Sequence, residues 1–257
     1  MKTFKSQLVT AAFALTSTLM VSVSQAAEAT PSVVIVHGAF ADGSDWAKVV
    51  PYLQAEGVAV TVVQNPLTSL ADDVAATQRV LNNQPGNVVL VGHSWGGTVI
   101  SEAGAHEKVS ALVYVAAFAP DAGQVSGEQG KGAPTPPGIS QIKADSNGFL
   151  YLTPEGMAKH FAQDLPAAQT AVMNTTQGPI KASAFDDRTT VAAWKTKPSW
   201  YLLASEDRMI HPDVQRSSAK RIGATLTELG TSHVPQQSQP GEVAKVILEA
   251  VRSVDAQ

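Results

Sequence analysis

The chain contains no cysteine, which removes disulfides, a thiolate nucleophile and a lipid-modified N-terminal cysteine at once. Charge is also sparse: charged residues make up 16% of the 257 positions and the net charge is −4. There is no polybasic block or basic stripe, so nucleic acid is excluded as an expected partner. Beyond the first residues no run is long and apolar enough to span a bilayer, so no stable membrane anchor is expected. What remains is a chain that is 44% hydrophobic, enough for one sizeable core that needs no cross-links.

The N-terminus reads as a leader. Met1 to Lys5 carries two lysines and no acid, and Leu8 to Val23 is apolar with small hydroxyl residues. Ser24-Gln25-Ala26 is a small-x-small cleavage site, with Ala27-Glu28-Ala29 as a second. No twin-arginine pair precedes them. The expectation is a signal peptide over 1–26, a single domain over 27–257, and a periplasmic or secreted protein.

After the leader, strands and helices alternate. Strands are expected at Ser32 to Val36, Val58 to Val63, Asn87 to Val91 and Val109 to Val115. Helices are expected at Asp45 to Ala55 with Ser44 as N-cap, at Ser69 to Asn82 with Asp72 and Asp73 in its first turn, and at Trp95 to Ala105. The strands are almost continuously apolar, as strands covered on both faces are. An α/β fold follows, a mostly parallel doubly wound sheet. From Pro120 to about Asp187 the alternation stops, and a Gly/Pro-rich stretch leads into two short helices, Pro154 to Gln163 and Pro166 to Thr176. This reads as a helical cap inserted after the fourth strand. A strand at Ser199 to Ala204, a helix at Pro212 to Ile222, a strand at Ala224 to Leu229 and a helix at Gly241 to Val251 complete the sheet.

The stretch "NVVLVGHSWGGTVI" places Ser94 between glycines where a buried strand must turn into a helix. A nucleophile exposed at the C-terminal edge of a parallel sheet requires such a turn, with no bulk two residues before or after it: G-x-S-x-G, here Gly92 and Gly96. A serine hydroxyl needs a base, and the base needs an orienting acid. His233, in "GTSHVPQQSQP" after the strand ending at Leu229, lies at the same edge. His37 is expected to shape the loop after the first strand, His93 to point away from Ser94, and His106, His160 and His211 to lie at the surface. Asp207, just past the strand ending at Ala204, is the expected acid, with Glu206 as fallback. The order Ser94, Asp207, His233 is that of α/β-hydrolases. Two backbone N–H groups should hold the oxyanion: Trp95, and Ala39 with Phe40 as second choice.

These residues carry a resemblance. "VIVHGAFADGSDW", "VVLVGHSWGG", "LVYVAAFAPD", "SEDRMIHPD" and "SHVPQQSQP" are similar to the α/β-hydrolase superfamily, and within it to small esterases related to plant methylesterases and hydroxynitrile lyases, a branch with exported bacterial members. The similarity covers most of residues 31 to 252 apart from the middle of the cap. It implies a serine esterase acting on a small-molecule ester through an acyl-enzyme, with no metal or cofactor. Cyanohydrin-cleaving members of the branch place a threonine in the loop after the first strand and a lysine after the histidine. Gly38 and Val234 stand there in this chain, which favours ester hydrolysis. Phe40, Phe118 and Tyr151 are expected to contact a substrate with an apolar or aromatic part. A lactonase or amidase using the same triad, or a non-catalytic binding protein on the same fold, is the alternative.

Overall fold

The computed structural model describes Met1 and residues 30–255; the expected leader over Lys2 to Ala26 and both cleavage sites fall outside them. Six parallel strands form the main sheet: β1 (Ser32–Val36), β2 (Val60–Val63), β3 (Val88–His93), β4 (Val109–Val115), and, after the cap, β8 (Ser199–Ala204) and β9 (Thr225–Leu229). Their order across the sheet is β2-β1-β3-β4-β8-β9. The chain leaves β1 toward β2 and then crosses back to place β3 on the other side of β1. That reversal opens a crevice at the C-terminal ends of β1 and β3, where open α/β sheets hold ligands.

Alternation within the strands divides the core in two. Val34, Val36, Leu90, Leu112 and Tyr114 face one side, where α2 (Leu70–Asn82) and α3 (Gly96–Ala103) pack. Val33, Ile35, Val89, Val91 and Val113 face the other, covered by α1 (Val50–Ala55) and α8 (Pro240–Asp255). Full burial of each such side chain contributes about 2 kcal/mol, so a core of this extent stands without cystines. The edge strands β2 and β9 are half-exposed.

Two helix starts differ from expectation. The segment after β1 is not one helix from Asp45. A tight turn over Gly43–Trp46 precedes α1, and its cap is Asp42, whose carboxylate accepts from the Ser44 N–H at 2.7 Å; Ser44 is not the cap. A separate short helix, α7 (Pro235–Ser238), follows His233 before α8.

The cap between β4 and β8 is mixed rather than helical. It holds an antiparallel sheet of β5 (Ile142–Ala144), β6 (Phe149–Leu152) and β7 (Ile180–Lys181) in the order β5-β6-β7. Strands of three, four and two residues are too short for a two-residue period to register in sequence. The helix behind Thr153 begins as α4 (Pro154–Gly156) and then widens over Met157–Phe161, where the Ala162 N–H reaches the Met157 carbonyl five residues back at 3.0 Å. It ends before Gln163. The second cap helix, α5 (Ala167–Thr176), agrees with the reading. At the base of the cap, Gly123 and Thr189 pair across its incoming and outgoing strands at 2.7 Å.

Candidate active site

The turn between β3 and α3 is as tight as its glycines imply. Ser94 has φ of +53°, a left-handed conformation that only surrounding structure can hold in a non-glycine residue. A Cβ on Gly92 would lie 2.6 Å from the Gly96 carbonyl oxygen, and one on Gly96 would lie 2.4 Å from that of Val36. The turn is pinned by the Ser94 N–H donating to the Val115 carbonyl at 3.1 Å and by the Phe118 N–H donating to the Ser94 carbonyl at 3.2 Å. Ser94 is 7% exposed.

The three residues singled out at the sheet edge converge. His233 Nε2 lies 2.9 Å from Ser94 Oγ, and His233 Nδ1 lies 2.7 Å from Asp207 Oδ2. The carboxylate only accepts, so Nδ1 carries the hydrogen and the Nε2 lone pair faces the serine hydroxyl. Asp207 is buried and held on three further donors: the Met209 and Ile210 N–H groups at 2.7 and 3.0 Å, and Gln215 Nε2 at 2.7 Å. Gln215 comes from α6 (Pro212–Arg221), and its Oε1 accepts from the Ala204 N–H at the end of β8. Glu206 is exposed, with no such contacts to His233.

The loop after β1 forms the opposite wall. Phe40 has φ of +61° and donates its N–H to the Gly178 carbonyl of the cap at 3.1 Å. That bond occupies the second-choice oxyanion donor. Among the described residues, neither the Ala39 nor the Trp95 N–H meets an acceptor. His37 shapes this loop: its Nε2 accepts from the Asn65 N–H at 3.0 Å, its Nδ1 donates to the Gly38 carbonyl, and burial lowers its pKa. A Cβ on Gly38 would lie 2.8 Å from Ser94 Cβ, so a threonine there would crowd the serine.

His93 makes no hydrogen bond to Ser94 and turns under His233. Its Nε2 donates to the His233 carbonyl at 2.8 Å and the rings lie 4.8 Å apart. Burial, then the field of His233, pushes its pKa well below the ordinary value, so it stays neutral. On the cap side, Phe161 presents its edge to the His233 ring at 5.0 Å. Trp95 donates its Nε1–H to Asp73 Oδ2 at 2.7 Å, and Asp73 also accepts from the Leu67 N–H. Burial raises the Asp73 carboxyl to about 6. Asp73 lies in the first turn of α2 as expected, and its side chain also faces the core. The signal was available, because 70, 73, 74, 77 and 81 share one helical face. His106 and His211 are half-buried, bonded to Asn82 and capping α6 respectively.

A largely apolar cavity of about 570 Å³ opens between the cap and the loop after β8; Ser94, Asp207 and His233 do not line it themselves. Phe118, Ile142, Leu150, Phe185, Met209 and Ile210 line it; Phe118 bonds Ser94, and Met209 and Ile210 bond Asp207. A smaller cavity of about 180 Å³ lies by Phe40, Gln169 and Met173. Tyr151 lines neither cavity. It is 39% exposed, because the alternation of β6 turns Leu152 inward and Tyr151 out.

Residues 33–246 match the model of the alpha/beta hydrolase family. Among curated proteins, a pyrethroid hydrolase of Sphingobium wenxiniae is 26% identical, over 84% of this chain and 86% of its own. Methyl jasmonate esterase 1 of Vitis vinifera is 24% identical, over 86% and 96%. The solved structure of polyneuridine aldehyde esterase superposes with a TM-score of 0.75 at 22% identity, covering 86% of this chain and 99% of that one.

Proposed function

The chain belongs to the alpha/beta hydrolase family and is a carboxylic ester hydrolase, and we propose that it cleaves small to medium esters with an apolar or aromatic part through an acyl intermediate on Ser94. One observation carries this reading: the unbroken chain of hydrogen bonds from Ser94 through His233 to Asp207, 2.9 and 2.7 Å long.

The chemistry follows from the tautomer. His233 Nε2 takes the proton of Ser94 as Oγ attacks the ester carbonyl carbon. Charge develops on the carbonyl oxygen, where the free Ala39 and Trp95 N–H groups act as donors, each worth about 3 kcal/mol. The imidazolium, stabilised by Asp207, then protonates the departing alkoxide. A water deprotonated by the same Nε2 attacks the acyl-serine; the C–Oγ bond breaks, the acid leaves, and the proton returns to Ser94. The cavity beside Phe118, Met209 and Ile210 supports an apolar or aromatic group on the substrate. Val234, fully buried where a cyanide-stabilising lysine would stand, supports ester hydrolysis over cyanohydrin cleavage.

A panel of p-nitrophenyl esters and lactones, run on the protein and on Ser94→Ala, tests the reading. Short esters should turn over, and Ser94→Ala should lose about 10³-fold or more. Equal rates in the two proteins would remove the nucleophile. Export by the N-terminal segment, with cleavage after Ala26 or Ala29, is part of the same proposal. Mature protein outside the cytoplasm that begins at Ala27 or Thr30 would support it, and an intact Met1 would end it.

A further inference from the structure

The motifs "DGSDW" and "SHVPQQSQP" contain polar residues for which the triad has no use: Asp45, Gln236 and Gln237. They meet. Asp45 is buried in the turn after β1, and Gln236 Nε2 donates to its Oδ2 at 2.5 Å. Gln237 Nε2 donates to the Asp45 carbonyl at 2.6 Å and to its Oδ1 at 3.1 Å. Both glutamines lie in α7, within four residues of His233. A buried carboxylate is costly to place, and here its two side-chain partners both come from the loop that carries the imidazole.

We infer that Asp45 is a positioning residue for His233: it clamps α7 through the side-chain amides of Gln236 and Gln237, and so fixes the imidazole against Ser94. This rests on the reading of Ser94, His233 and Asp207 as the reacting groups. The clamp reaches the cap as well. Gln237 Oε1 accepts from Gln169 Nε2 of α5 at 2.7 Å, and Lys48 Nζ bridges Gln169 Oε1 and the Gln237 carbonyl at 3.1 and 3.2 Å. From the cap, Asp164 also accepts the Ser232 N–H at 2.9 Å. His233 thus hangs between Asp45 beneath and the cap above, with α7 as the rigid link.

The titratable groups in the field of Asp45 are Asp42 and His233, with Lys48 one amide away. Burial first, opposed by the two glutamines, raises its carboxyl to about 6, so it is ionised on the alkaline side of that value.

Two variants loosen the clamp from its two sides. Asp45→Asn removes the charge and turns one of the two accepting oxygens into a donor; Gln236→Leu keeps the carboxylate and removes one arm. The readout is p-nitrophenyl butyrate turnover per serine labelled by a fluorophosphonate, from pH 5 to 9. Both variants should lose about tenfold in kcat with KM within about twofold, as a small displacement of a reacting group does. A role confined to holding the fold would lower Tm and leave turnover per labelled serine untouched; that result overturns the inference. Should the wild type hydrolyse no ester, the ester reading fails separately. The downfield proton signal of His233 Nδ1–H, recorded at one pH in wild type and both variants without substrate, then decides: a displaced or broadened signal in the variants supports the clamp, and an unchanged one overturns it.

Discussion

The Nε2–H of His93 donates to the carbonyl oxygen of His233 across 2.8 Å, joining the turn that carries Ser94 to the loop that carries His233. Phenylalanine at 93 would fill the same space and leave that buried oxygen without a donor. His93→Phe should lose about 1–3 kcal/mol of stability in urea unfolding, and ester turnover should fall with it. Unchanged stability would mean the bond contributes nothing.

Glycines at the elbow act through clearance. Gly96→Ala would force a Cβ to within 2.4 Å of the Val36 carbonyl oxygen, which is backbone and cannot step aside. Gly86→Ala is the control, with nothing within 4 Å of its added Cβ. Gly96→Ala should cost more than about 2 kcal/mol and yield little soluble protein, while Gly86→Ala should change stability by less than about 1 kcal/mol. Thermal melts of the two proteins check both.

Burial sets a pH dependence at Asp73. Its carboxyl is raised to about 6 from 3.8, so the native chain holds a proton that the unfolded chain releases between those values. The stability this group contributes is complete below pH 3.8 and is lost as pH rises through about 6. Asp73→Asn resembles the protonated form. It should therefore gain on the wild type as pH rises from 4 to 7, by on the order of 3 kcal/mol. Chemical unfolding at several pH values measures the gap; a constant gap contradicts the sign.

Gln215 donates to Asp207 Oδ2 beside the His233 bond and also to the Ile210 carbonyl. Gln215→Leu removes a fixed donor from Asp207, the partner of His233. An approximately tenfold loss in kcat with little change in KM is expected, since Gln215 is fully buried. A rise in KM alone would place its effect on binding instead.

Much of the architecture is legible in the sequence because long apolar strands and paired glycines have few other uses. Val88 to Val91 can only be covered on both faces, and Gly92, Ser94 and Gly96 specify the elbow that follows. The cap resists such reading: β5, β6 and β7 are shorter than one clear period, and Met157 to Phe161 widens in a way no propensity marks. The outward side of Tyr151 is likewise hidden from the sequence, since it depends on a sheet that short. Within the site, His233 and Asp207 could be found from strand ends, whereas Gln215, His93 and Asp45 act through tertiary contacts with no local signature. Asp73 is different: both its place in the first turn of α2 and its place on the apolar face are written in the spacing.

The most direct measurement is covalent capture of the nucleophile. A fluorophosphonate, mapped by peptide mass spectrometry, should modify Ser94 in the wild type, slow by about 10²-fold or more in His233→Ala, and leave Ser94→Ala unlabelled. Labelling at another residue, or equal rates with and without His233, would contradict a serine activated by that imidazole.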